Sequence, residues 1–114
     1  MRGKFSETIR EHDAFAEELR ALIPDTFQAF GGLSREAQAP GALDHKFKEL
    51  IALAIAVSVR CDACVPYHAR AAARAGATRN EVAEALGVAL QMRGEPALSH
   101  GAEALSAFDE FRYV

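Results

Sequence analysis

Residues 44–76 read DHKFKELIALAIAVSVRCDACVPYHARAAARAG, and this stretch decides the fold. Asp44 is a good N-cap for a long helix running to about Arg60, because its carboxylate can accept from the unpaired N–H groups of the first turn. A second helix begins around the cysteines and stops at Gly76, a residue suited to the left-handed conformation just past a helix end. Working outward, Thr78-Arg-Asn-Glu81 is a capping box opening a helix through Val82, Leu86, Leu90 and Met92. Gly94 closes that helix, and Pro96 begins a last one through Leu98, Leu105, Phe108 and Phe111. Toward the N-terminus, Ser6 is read as the cap of a helix carrying Ile9, Phe15, Leu19 and Leu22. Pro24 ends it and suits the entry of another helix through Phe27, Phe30 and Leu33, before the turn Gln38-Ala-Pro-Gly-Ala. Strand alternation is almost absent. The expectation is an all-α fold of about six helices, one domain over residues 1–114.

The bulk properties narrow the function classes. Half of the 114 residues are hydrophobic, high for a small monomer, so some of that area is expected in an interface between copies of the chain. A net charge of −3 marks no nucleic-acid or anionic-lipid partner. Met1 to Arg10 lacks an apolar signal core, and the longest apolar run, Leu50 to Val57, falls well short of the roughly 20 residues that span a bilayer. No membrane partner and a soluble, cytoplasmic location are expected. In a reducing compartment a close cysteine pair is more often catalytic or metal-binding than a structural staple.

The chain's two cysteines are spaced C-x-x-C, and a histidine follows the second by four residues. Cys64 and His68 therefore lie one turn apart on one helix face. Cys61 falls at or before the first turn, where the positive helix end favours a thiolate and a disulfide across two residues can close. His68 can take or share the thiol proton, and the thiolate is the form that attacks peroxides and disulfides. Glu49 is a lone carboxylate on a face completed by Ala52, Leu53 and Ala56, where burial would suit it to proton transfer. A solvated Glu49 beside Lys46 and Lys48 is the alternative. His45, one turn before Glu49, could pair with it. His100 reads as an ordinary exposed or interface histidine, His12 as solvated, Tyr67 as a packing residue ahead of a residue lining the pocket, and Arg70, Arg74 and Arg79 as a solvated face.

These residues carry a resemblance. Glu49, Cys61-Asp-Ala-Cys64-Val-Pro-Tyr-His68 and Ala75-Gly-Ala-Thr-Arg-Asn-Glu81 together resemble the alkylhydroperoxidase D-like (AhpD-like) branch of the carboxymuconolactone decarboxylase superfamily, over about Ala39 to Phe111. The resemblance implies an AhpD-like helical bundle assembled as a trimer or hexamer. It implies peroxidase activity on a hydroperoxide substrate, regenerated by a dithiol or protein reductant, with no cofactor and no metal. By position, Cys64 would be the peroxidatic thiol, Cys61 the resolving thiol, and His68 and Glu49 the proton relay. One departure is Ala63, where alkylhydroperoxidase D carries a second histidine between its cysteines. True carboxymuconolactone decarboxylases look to lack the thiol pair, which argues against lactone chemistry here.

Three other readings stay open on the sequence. The pair could exchange with protein or small-molecule disulfides and react poorly with peroxide. Glu49 and His68 could do acid–base work without the cysteines. Cys61, Cys64 and His68 could also join a fourth ligand, His45 or Glu49, in a structural zinc site, although no second ligand pair follows.

Overall fold

Six α-helices follow one another with short connections in a computed structural model that describes residues 3–112. They are α1 (Lys4–Leu22), α2 (Pro24–Gln38), α3 (His45–Val59), α4 (Cys64–Arg74), α5 (Arg79–Arg93) and α6 (Glu95–Phe111). The expected all-α architecture holds, and the local signals explain most of the boundaries. Asp44 accepts from the Phe47 N–H at 2.9 Å and starts α3. Thr78 and Glu81 exchange their capping-box bonds at 3.1 and 2.8 Å and start α5. Thr78 first, then the Lys46 ammonium 2.9 Å away, hold the Glu81 carboxyl below its ordinary value and tie α5 to the start of α3.

Both glycine stops behave as their backbone freedom predicts. Gly76 (φ +88°) ends α4 with N–H bonds from Gly76 to Ala73 and from Ala77 to Ala72. Gly94 has φ 80° and ψ −152°, a conformation essentially reserved for glycine, and joins α5 to α6 with no other residue between them. Helix α6 begins at Glu95, with Pro96 inside its first turn.

The core lies among α3, α4, α5 and α6. Leu53 and Val57 of α3, Val65, Ala69 and Ala72 of α4, Val82 of α5, and Ala104, Ala107 and Phe108 of α6 are all buried. Helix α4 packs most extensively against α6 and α3. Alanine supplies much of the buried surface on α4 and α6, and small side chains let helix axes approach closely. Phe108 contributes the largest fully buried side chain, with about 1.5–3 kcal/mol gained by removing such a group from water.

The start of the first helix corrects the sequence reading. Ser6 is not the cap of α1: the helix starts three residues earlier, at Lys4, with Gly3 as N-cap. Its orphan donors are satisfied from the far end of the chain. The Glu110 carboxylate of α6 accepts from the Phe5 N–H at 3.1 Å, the Ser6 N–H at 2.8 Å and the Ser6 hydroxyl at 2.9 Å. Burial pushes Glu110 upward, but these donors outweigh it and hold the carboxyl below its ordinary value. Beyond this anchor and Ile9, α1 buries little, and α2 has no buried residue. Phe15, Leu22 and Phe30 are 74 %, 79 % and 65 % exposed, so the apolar stripes of α1 and α2 do not serve the core of their own chain. Among the described residues, no helix is long and apolar enough to cross a membrane.

Candidate functional site

The cysteine loop is built by the way α3 ends. Arg60 takes the left-handed conformation (φ 59°, ψ 47°), and the N–H groups of Cys61 and Arg60 bond to the carbonyls of Ala56 and Val57 at 3.0 and 3.4 Å. This is the Schellman pattern with arginine where glycine is usual. The chain turns sharply and delivers Cys61 to the N-terminal end of α4. Cys61 and Cys64 are joined by a disulfide with Cα atoms 5.1 Å apart. The Cys64 N–H donates to Cys61 Sγ at 3.3 Å, and the Val65 N–H to the Cys61 carbonyl at 3.0 Å. A donor aimed at sulfur from a helix N-terminus stabilises negative charge there once the disulfide opens. Both cysteines are partly exposed, so an outside thiol or a small oxidant can approach.

The other two predicted site residues meet each other. Glu49 is 5 % exposed, on α3 beside the fully buried Leu53. Its Oε1 lies 2.7 Å from His68 Nδ1. The alternative of a solvated Glu49 held by lysines is overturned: Lys46 goes to Glu81 and Lys48 donates to the Ala39 carbonyl. An ionised Glu49 can only accept, which places the histidine hydrogen on Nδ1 and leaves Nε2 with its lone pair free. His68 is one turn beyond Cys64 on α4, so the order thiol, imidazole, carboxylate can be read across two helices. The arrangement can accept a proton from a thiol and stabilise the resulting imidazolium.

Three neighbours surround these four residues. His45 does approach Glu49, with Nε2 3.6 Å from Oε2, and its Nδ1 lies 3.2 Å from the Gln38 carbonyl. Tyr67 is exposed rather than packed. Its ring meets the His68 ring edge-on at 5.1 Å, and the Arg70 guanidinium lies 5.6 Å from its centroid. It also borders an open cleft of about 710 Å³ whose other walls are α1 and α2, including Arg20, Phe27, Phe30 and Arg35. His100 is half-buried, and its Nε2 stands 3.8 Å from Asp62, the residue after Cys61. No sequence pattern pointed to that pairing, because it exists only where α6 passes the loop. Arg79 is not a free surface cation either: it grips Asp109 of α6 with two bonds at 3.0 and 3.1 Å, which holds that carboxyl below its ordinary value. Among the described residues, no three histidine, cysteine or carboxylate groups are arranged to hold a metal ion.

Known proteins share this architecture. A carboxymuconolactone decarboxylase family protein from Legionella pneumophila superimposes with a TM-score of 0.92 at 40 % identity, over 96 % of this chain and 97 % of that one. A family member from Thermotoga maritima, for which a part in the antioxidative response has been suggested, gives a TM-score of 0.71 at 34 % identity, over 77 % of this chain and 91 % of its own. Uncharacterized protein 4 in the cox locus of Paracoccus denitrificans is 43 % identical over 90 residues, covering 79 % of this chain and 78 % of that protein. The carboxymuconolactone decarboxylase family model matches residues 24–107, which reaches further upstream than the resemblance seen in the motifs and takes in α2. That span holds the Cys61–Cys64 loop, His68 and Glu49, and the chain belongs to the carboxymuconolactone decarboxylase family.

Proposed function

We propose that this protein is a thiol-dependent, AhpD-like peroxidase that reduces hydroperoxides through Cys61 and Cys64, with His68 and Glu49 as its proton relay. The observation that carries the reading is the 2.7 Å contact between His68 Nδ1 and buried Glu49, one turn along α4 from a thiol pair that closes to a disulfide. A pair of inert core thiols has no need of an oriented base.

The reaction balances without an added cofactor. His68 Nε2 takes the proton of reduced Cys64, and the thiolate attacks the terminal oxygen of the hydroperoxide. The O–O bond breaks, the departing alkoxide takes the proton from His68, and Cys64 is left as a sulfenic acid. Cys61 attacks that sulfur, expelling hydroxide, which leaves as water with the Cys61 proton. The disulfide is reopened by a dithiol or protein reductant, which supplies two electrons and two protons and becomes a disulfide itself.

One observation favours a second reading, thiol–disulfide exchange with the same pair. The Cys64 N–H aimed at Cys61 Sγ stabilises a Cys61 thiolate, the species that disulfide exchange needs. Rates with an organic hydroperoxide and with a model disulfide separate the two. The exposed apolar residues of α1 and α2 support assembly of several copies, and the count of three or six rests on the resemblance alone.

The direct test is a thiol count on reduced protein before and after one equivalent of an organic hydroperoxide, with mass analysis. Prompt loss of both thiols as a Cys61–Cys64 disulfide, abolished by Cys64→Ser, is expected. Survival of both thiols for hours overturns the peroxidase reading.

A further inference from the structure

We propose that His45 is a positioning residue of the thiol site: it holds the second oxygen of Glu49, and through Glu49 and His68 it promotes ionisation of Cys64. The inference deepens the proposed function and rests on the His68–Glu49 relay described there. Three observations carry it.

The first is that Glu49 is faced by a histidine on each side. Its Oε1 faces His68 Nδ1 at 2.7 Å and its Oε2 faces His45 Nε2 at 3.6 Å, the second within ion-pair range but beyond a direct hydrogen bond. A carboxylate with a partner at one oxygen alone can swing about its side-chain bonds, whereas a polar group facing the other oxygen favours the orientation that keeps Oε1 aimed at His68.

The second is the donor inventory of His45. Its Nδ1 faces the Gln38 carbonyl at 3.2 Å, an acceptor only, while its Nε2 faces a carboxylate. A neutral imidazole has one N–H and satisfies one of these groups; an imidazolium, with an N–H on each nitrogen, can face both. The geometry thus sets a group able to carry positive charge beside the outer oxygen of a buried carboxyl group.

The third is the gradient of exposure. Side chains of His45, His68 and Glu49 are 44 %, 24 % and 6 % exposed. His45 is the member that water reaches most easily, so a charge on its ring is the least costly of the three to desolvate.

The surrounding charges have other partners. On α3, Asp44 caps through Phe47, Lys46 pairs with Glu81 of α5, and Lys48 reaches the Ala39 carbonyl after α2. From α4 comes His68 itself. Among the described residues, the two histidines are the groups placed on Glu49.

The test reads Cys61 and Cys64 separately. Reduced protein is alkylated with iodoacetamide from about pH 6 to 9.5, bracketing the ordinary thiol value, and each cysteine is followed by peptide mass analysis. His45→Asn retains a donor suited to the Gln38 carbonyl and removes the reach to Glu49. Cys64 alkylation is expected to fall roughly tenfold near neutral pH and to converge with the parent rate at the alkaline end, where a thiol ionises without help. Cys61 alkylation should change little, and His45→Lys, which places a cation near Glu49, should recover most of the loss. A Cys64 rate equal to the parent near neutral pH overturns the proposal. Equal slowing of both cysteines at every pH also overturns it, because that pattern belongs to a disturbed fold.

His68→Gln and hydroperoxide consumption by the parent are measured alongside. A parent that consumes no hydroperoxide ends the peroxidase reading while the alkylation result still decides the role of His45. A His68→Gln protein with parental Cys64 reactivity removes the relay, and the proposal with it.

Discussion

Replacing Glu110 by Gln should detach the start of α1 from the body of the protein. The carboxylate accepts from two backbone N–H groups and one hydroxyl at 2.8–3.1 Å, a capping job done by a residue more than a hundred positions away. A side-chain cap is worth about 1 kcal/mol, and a negative charge at the positive end of a helix adds about 0.3–1 kcal/mol. Gln keeps one acceptor oxygen and loses the charge and the second oxygen, so about 1–1.5 kcal/mol is the expected loss at neutral pH. That corresponds to roughly tenfold faster local opening, read as amide exchange at Phe5 to Ile9.

The pH dependence has a definite sign. Glu110 is held below its ordinary 4.5 in the folded state, so its contribution is fully present above that value and is lost as pH falls through the lower folded value. Parent and variant should therefore differ at neutral pH and converge in acid. Gly3→Ala attacks the same contact from the other side, since its Cβ would fall 2.3 Å from the Glu110 carboxyl carbon. Exchange at Phe5 to Ile9 within twofold of the parent at neutral pH, in Glu110→Gln, would refute the capping argument.

Other perturbations test other joints. Gly94→Ala should cost about 1–3 kcal/mol in chemical denaturation, all of it backbone strain, because an added Cβ meets nothing within 4 Å; a change below about 0.5 kcal/mol would show that the junction relaxes. Arg60→Gly removes a left-handed arginine and should leave stability unchanged or raise it by up to about 1 kcal/mol, the strain relieved being offset by greater freedom of the unfolded chain. A marked loss in that variant would mean that the arginine side chain itself supports the loop. Phe30→Glu, on the exposed face of α2, should lower the mass seen by light scattering if α1 and α2 bury their apolar stripes between copies; an unchanged mass would place the interface elsewhere.

The parts of the fold that could be read in advance are those whose cause is local in sequence. Asp44, the Thr78–Glu81 box, Gly76 and Gly94 act on backbone groups a few residues away, and all four end or begin helices as expected. The start of α1 could not be read this way, because Ser6 offers a plausible local cap while the actual acceptor is Glu110. Arg60 carries no compositional mark of a left-handed residue, so the turn that joins α3 to the cysteine loop could not be read in advance. At the site, the apolar face around Glu49 predicted its burial, and the four-residue step from Cys64 set His68 on the same face. What sequence lacked was the distance between α3 and α4, and with it the 2.7 Å contact. His100 beside Asp62 was hidden for the same reason, since nothing local links α6 to the cysteine loop.

The loop between α3 and α4 keeps its shape by backbone bonds that do not involve the S–S bond. Cys61 is tied by its N–H to Ala56 and by its carbonyl to Val65, and Arg60 is tied to Val57. Opening the disulfide removes a cross-link from a frame that already stands without it. The reduced form is therefore expected to keep this frame, with the change centred on two sulfur atoms. On that expectation, a partner that tells one form from the other reads chemistry at sulfur more than a change of outline.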